Sequence, residues 1–160
     1  MSTITVSKHL DSDTLYLPEL RPFVGHEVEI IVRDAAPVVG QDEARTCLKQ
    51  KIEKTAQACA SPNWDGNQAT PVSSGTVETA HQFINSIPDN VPLPSMVAES
   101  DGQLNFEWYR EPRKLLSVSV STNGILYWAA LIGSEDPRGS IQFVDQFPKT
   151  LLYWISQVYE

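Results

Sequence analysis

Apolar and polar positions alternate most cleanly between Gly102 and Gly133. Leu104, Phe106 and Trp108, then Leu116, Val118 and Val120, recur at every second residue, the period of strands with one buried face. The stretch reads as a three-stranded antiparallel meander. Its second turn is Thr122-Asn123-Gly124-Ile125, and Asn-Gly between alternating runs favours a two-residue type I′ loop. That loop pairs Val120 with Tyr127, Val118 with Ala129 and Leu116 with Leu131. The first turn, Glu111-Pro112-Arg113, takes three residues if Trp108, Phe106 and Leu104 are to oppose Leu116, Val118 and Val120. A one-residue slip would turn all of them to the wrong side. The other face then carries Asn105, Glu107, Tyr109, Leu115, Ser117, Ser119, Ser121, Leu126, Trp128 and Ala130. It is either a half-solvated sheet face or a docking surface, because Trp and Tyr are prominent among the residues that dominate binding energy.

Helical spacing appears three times. Asp42 to Ala60 repeats Ala44, Leu48, Ile52 and Ala56 every four residues, a narrow stripe that predicts a surface helix ended by Ser61-Pro62. Ser73 is placed to cap a core helix carrying Val77, Ala80, Phe83, Ile84 and Ile87, which Pro88 stops. Pro148 suits the first turn of a terminal helix whose broad face, Leu151, Leu152, Trp154, Ile155 and Val158, is expected to cover the meander on its Phe106 and Val118 side. Between the first two helices, Asn63-Trp64-Asp65-Gly66 forms a loop in which Trp64 either plugs the core edge or serves recognition. Asp89 to Pro94 is an extended connector, Met96 to Ala98 a short strand and Ile141 to Val144 a final edge strand. The fold class is α+β: an antiparallel meander sheet covered on one face by helices, with an N-terminal β-rich appendage.

That appendage spans residues 1–34. Ile4 to Val6, Thr14 to Pro18 and Val28 to Val32 read as strands, and Glu19 to Val24 as a turn of helix or 3₁₀ interrupted by Pro22 and stopped at Gly25. Uncharged residues 35–41, with Pro37 and Gly40, form a linker to an α+β domain over 42–160.

Charge narrows the function. A net charge of -8 over 160 residues argues against general affinity for phosphate backbones. It suits a basic protein partner, or mimicry of a nucleic acid. Met1 to Val6 lacks the basic and apolar regions of a signal peptide, and no apolar run approaches the ~20 residues of a spanning helix, so cytoplasm is the expected compartment and no membrane is implied. Cys47 and Cys59 fall on one predicted helix, roughly 18 Å apart at ~1.5 Å per residue, beyond the ~7 Å reach of a disulfide. His9, His26 and His81 have no ligand-like spacing, so no metal is expected.

The chain contains no glycine-rich phosphate loop, no Gly-x-Ser-x-Gly elbow, no paired Cys and His and no His-Glu-x-x-His, so neither a cofactor nor an enzyme is expected. Glu107 is the one acid placed on the polar sheet face without a visible partner. His81, near Glu78 on a helix flank, reads as a solvated or hydrogen-bonded side chain rather than a general base.

Ile4-Thr5-Val6-Ser7-Lys8, Leu15-Tyr16-Leu17-Pro18-Glu19-Leu20 and Val24-Gly25-His26-Glu27-Val28-Glu29-Ile30 together resemble the swapped-hairpin segment of AbrB/MazE-type antitoxins and transition-state regulators. The resemblance covers about the first 34 residues. It implies a homodimer interlocked through positions such as Leu15, Leu17, Val28 and Ile30. DNA binding, which the family achieves with a basic face, runs against the charge here: Lys8, Arg21 and Arg33 meet Asp11, Asp13, Glu19, Glu27, Glu29 and Asp34. Trp64-Asp65-Gly66, Ala69, Pro71, the helix ending at Pro88, Leu93-Pro94 and Leu104 to Trp108 resemble a small bacterial domain to which no activity attaches.

Three functions follow in order of preference. The first is an antitoxin-like, non-enzymatic protein that neutralises a toxin or other basic partner through Trp64, Asp65, Glu107, Tyr109 and Trp128. The second is an acidic inhibitor, phage-encoded in one version, that mimics nucleic acid and whose binding weakens with salt. The third is a small hydrolase using Glu107 and His81.

Overall fold

A computed structural model of the protein describes residues 14, 16–28, 30 and 40–160. The chain divides into two compact units, Met1–Val38 and Val39–Glu160.

In the first unit, Pro18–Phe23 forms a 3₁₀ helix with Pro22 inside it. The Val24 N–H donates to the Arg21 carbonyl at 3.2 Å and the His26 N–H to that of Phe23 at 3.0 Å. Gly25, at φ +91°, supplies the left-handed stop that its position predicts. Tyr16, Leu17, Val28 and Ile30 stand outside any strand. The second expected strand is thus corrected over its described residues: Pro18, which has no N–H to give a ladder, opens the 3₁₀ turn instead of closing a strand. Ile4 to Val6, Leu15, Val32 and most of the linker lie outside the described residues.

The second unit is built on a five-stranded sheet, β1 (Ser95–Ala98), β2 (Leu104–Glu111), β3 (Lys114–Val120), β4 (Ile125–Ile132) and β5 (Arg138–Gln142). Every neighbour pairs antiparallel, and the spatial order is the chain order. Three helices, α1 (Gln41–Ala58), α2 (Ser74–Ser86) and α3 (Lys149–Tyr159), bury one face of this sheet. Packing centres on Phe83 of α2, whose ring lies 5.5 Å from Phe106, 5.4 Å from Phe147, 5.9 Å from Phe143 and 6.4 Å from Trp108. Leu151, Ile155 and Val158 of α3 are buried in the same core. The expected cover of helices over Phe106 and Val118 is therefore present.

Each helix has a local cause. Ser73 accepts the Thr76 N–H at 3.1 Å as the cap of α2, the role its side chain suggests. Pro148 stands just before α3, one step outside its first turn, and its carbonyl accepts from Leu151 at 3.0 Å. The α1 stripe, expected to be purely apolar, includes a buried arginine. Arg45 lies between Leu48 and the end of α2, donating to the carbonyls of Ile84 and of Ile87 (2.9 Å) and to Asp89 (3.1 Å). It satisfies the Ile87 carbonyl just past α2 and adds a second donor to the Ile84 carbonyl, which also accepts the Ile87 N–H at 3.4 Å.

The meander turns differ from the sequence expectation in ways that matter for function. In the first, the Trp108↔Leu116, Phe106↔Val118 and Leu104↔Val120 pairs hold. The loop, however, is two residues, Pro112-Arg113, closed by Glu111↔Lys114, and a bulge between Tyr109 and Glu111 restores the register. In the second, the expected pairs are each off by one: Val120 opposes Leu126, Val118 opposes Trp128 and Leu116 opposes Ala130. The loop is Thr122-Asn123-Gly124. Only Gly124 has positive φ, +74°, whereas a type I′ turn needs it at Asn123 as well. The Gly124 N–H donates to the Ser121 carbonyl at 3.2 Å and the Ser121 N–H to that of Ile125 at 3.1 Å. Such a three-residue loop ending in a left-handed glycine moves Leu126 and Ala130 into the core, where both are buried. β5 also starts earlier than the expected Ile141 to Val144, because the Pro137 carbonyl already accepts from Ala130 at 2.8 Å.

Candidate protein-binding face

Because side chains alternate across a strand, the observed register assigns the face opposite the helices without ambiguity. It carries Ser95 and Val97 of β1, Asn105, Glu107 and Tyr109 of β2, Leu115, Ser117 and Ser119 of β3, Tyr127, Ala129 and Leu131 of β4, and Arg138, Ser140 and Gln142 of β5. Among the described residues of the second unit no helix lies on it. Val97, Tyr109 and Tyr127 are 60%, 54% and 45% exposed.

The middle of this face is low and its borders are high. Ser117, Ser119, Ala129 and Ser140, with Tyr127 and Arg138 rising beside them, line an open depression of about 410 Å³. A second depression of about 250 Å³ adjoins it over Leu115, Leu131 and Asp136, sharing Ser117, Ala129 and Arg138. Arg138 is held by Asp136 at 3.1 Å. Beside the serines on the same face, the buried Asn105 amide donates to Ser117 Oγ at 2.6 Å, Ser119 Oγ at 3.2 Å and Glu99 Oε1 at 3.3 Å. The network fixes the floor, so that an arriving side chain meets a rigid surface of methyls and hydroxyls.

The expected binding residues are only partly brought together. Glu107 and Tyr109 do stand on this face. Trp128 does not: the register shift turns it to the helix side, where its ring lies 6.0 Å from Trp154, itself 4.8 Å from Tyr153. The placement of Leu126 and Ala130 on the open face is corrected for the same reason. Trp64 and Asp65 belong to a separate closed loop. There the Trp64 indole donates to the Thr70 carbonyl at 3.0 Å, and Asp65 Oδ1 accepts the N–H groups of Asn67 (2.7 Å) and Ala69 (3.2 Å). Asn63 Oδ1 accepts that of Gln68 at 2.6 Å. The loop's polar groups are spent on its own backbone, and Trp64 packs partly buried against the core, the plug of its two readings.

Of the dimerisation positions, Val28 and Ile30 are exposed, Leu17 is half-buried and Leu15 lies outside the described residues. His81 meets Glu53 of α1, Nε2 to Oε1 at 2.6 Å, and not Glu78. It stands in the helical layer while Glu107 points from the opposite face, so the two are not assembled into one site. Among the described residues no group of three or more His, Cys, Asp or Glu side chains could hold a metal ion, and no helix is long and apolar enough to cross a membrane. Cys59 is buried, which pushes its thiol pKa up, and Cys47 is exposed.

Sequence reasoning missed Tyr127, Ala129, Leu131, Arg138 and Ser140. For the three β4 residues the signal was in Ser121: its Oγ accepts the Ile125 N–H at 3.1 Å and donates to the Ile125 carbonyl at 2.7 Å, which favours the longer loop. No protein-family model matches this chain, and neither a curated protein nor a solved structure matches it.

Proposed function

We propose that the chain is a non-enzymatic protein-binding module, antitoxin-like in that it would hold a basic partner protein, and that the open face of the sheet makes the contact. The observation that carries this reading is a sheet face with exposed Val97, Tyr109 and Tyr127 and a depression floored by small residues beside Tyr127, uncovered by any helix of the second unit. Aromatic side chains bordering a rigid low centre are what a partner's anchor residues need. The net charge of -8 sets the sign of the partner and speeds its approach. A cytoplasmic setting and a homodimer through the N-terminal unit belong to the same proposal.

The test is affinity capture from a lysate of the native organism with the full chain and with a triple variant, Val97→Thr, Tyr109→Thr and Tyr127→Thr. The expected result is one stoichiometric basic protein retained by the wild type and lost with the variant. Retention of the same protein by both would remove the open face from the reading. Retention of no protein by the wild type would remove the binding-protein reading itself, and nucleic-acid mimicry with it, since a mimic also has to hold a protein; a retained protein whose nucleic-acid channel the chain blocks in a salt-sensitive way would favour mimicry.

A further inference from the structure

The two edges of the sheet are not equivalent. The β4–β5 ladder is bracketed by the Ala130 N–H to Pro137 carbonyl bond at 2.8 Å and the Phe143 N–H to Gly124 carbonyl bond at 2.9 Å, with one constant register between them. Bonded and non-bonded pairs alternate in an antiparallel ladder. Gly139 and Ile141 therefore bond to β4, while Arg138, Ser140 and Gln142 turn their backbone N–H and C=O outward. Among the described residues those outward groups have no partner, and β5 touches β4 and no other helix or strand. At the opposite edge, β1 is four residues long and α1 packs against it. Natural edges are usually blunted with Lys, Pro or bulges. β5 has none of these, and its single charge, Arg138, is tied to Asp136.

We propose that β5 is a strand-addition site that takes an extended segment of a partner protein, apolar in alternate positions and flanked by Lys or Arg, as a sixth strand. This rests on the binding-face reading and names the chemistry of the partner. In the free protein these exposed groups bond to water, and an extended backbone can replace that water with a complete ladder. On the open side, the segment's side chains lean over Ser140 toward the depression floored by Ser117 and Ala129, where an apolar group fits. On the other side the half-buried Trp128 ring lies against Gly139, 3.1 Å from where a Cβ would stand, so that side of the strand is already covered by the protein's own indole. Exposed Glu135 and Asp136 precede the strand and exposed Asp145 follows it, so basic flanks complement both ends. A second copy of the chain is disfavoured by the same charges. Antiparallel self-pairing about Ser140 would bring Glu135 and Asp136 toward the mate's Asp145 at each end.

The experiment selects binders to the full chain from a displayed library of random peptides of about 12 residues. Synthetic versions are then titrated by fluorescence polarisation against wild type, Ser140→Pro and Ser140→Lys. Proline at 140 deletes only an outward N–H, and lysine adds the charge that natural edges use, so one variant controls for the other's folding. The expected result is enrichment of alternating apolar and basic peptides whose affinity falls at least about tenfold in both variants. Unchanged affinity in both variants would overturn the proposal, as would enrichment of nothing beyond what an unrelated protein selects. A wild-type dimer that Ser140→Pro dissociates would also overturn it, by naming a second copy as the occupant. Peptides lost with the Val97, Tyr109 and Tyr127 triple variant but kept by both Ser140 variants would leave the open face as the binding surface and refute the edge.

Discussion

The two faces of the sheet come from the same strands and differ in almost everything else. On the helix side, Leu104, Phe106, Trp108, Leu116, Val118, Val120 and Leu126 are essentially fully buried, and Phe83 sits among four further aromatic rings. On the open side, serines and alanine make the floor, and the large side chains at its border are exposed. Burial energy scales with the apolar area removed from water, so the helix face carries the stability of the fold. The open face is then free to be shaped by what it touches. Even its one buried polar group, Asn105, serves the surface by fixing two serines.

This contrast can be broken by substitution. The largest effect is expected from Phe106→Ala, which empties a ring-sized space in the core and should cost about 3–5 kcal/mol in urea unfolding. Arg45→Met comes next: with the Ile87 carbonyl left without a donor and the Ile84 carbonyl with only the long 3.4 Å bond from the Ile87 N–H, a loss on the order of 2–3 kcal/mol is expected, read from the same titration. Asn105→Ala removes the serine network and should cost about 1 kcal/mol, while mobility of Ser117 and Ser119 rises in NMR relaxation. The smallest effect is at Cys59. Its folded thiol pKa is raised by burial, so its contribution is complete below the ordinary thiol pKa and declines as pH rises above it, toward the folded value. In thiol titration of the native protein Cys47 should react first and Cys59 only slowly; equal rates would mean that the helical layer opens readily.

Much of the covered face was legible in the sequence. Periodicity identified the strands and helices because burial imposes it, and Ser73 and Pro88 marked the ends of α2 by their chemistry. The open face was only half legible, and a single turn explains why. Asn123-Gly124 fits a two-residue loop as well as a three-residue one, and the choice depends on hydrogen bonds from Ser121 and on whether Leu126 or Tyr127 is buried. Both are apolar, so period 2 could not decide. The error moved Trp128 onto the open face and removed Tyr127 from it. Arg45 was illegible for another reason, since its partners are carbonyls about forty residues away in sequence. The β5 edge became visible only once its ladder was in place.

Equilibrium unfolding of the full-length triple variant, Val97→Thr, Tyr109→Thr and Tyr127→Thr, tests most directly whether the open face is a surface held for a partner. Threonine keeps strand propensity while removing the large apolar groups. If the face is free, the three changes together cost less than about 1.5 kcal/mol, and the variant stays folded while losing its partner. A loss of more than about 4 kcal/mol, the scale of a core truncation, would contradict the account by showing that this face is already covered in the protein itself.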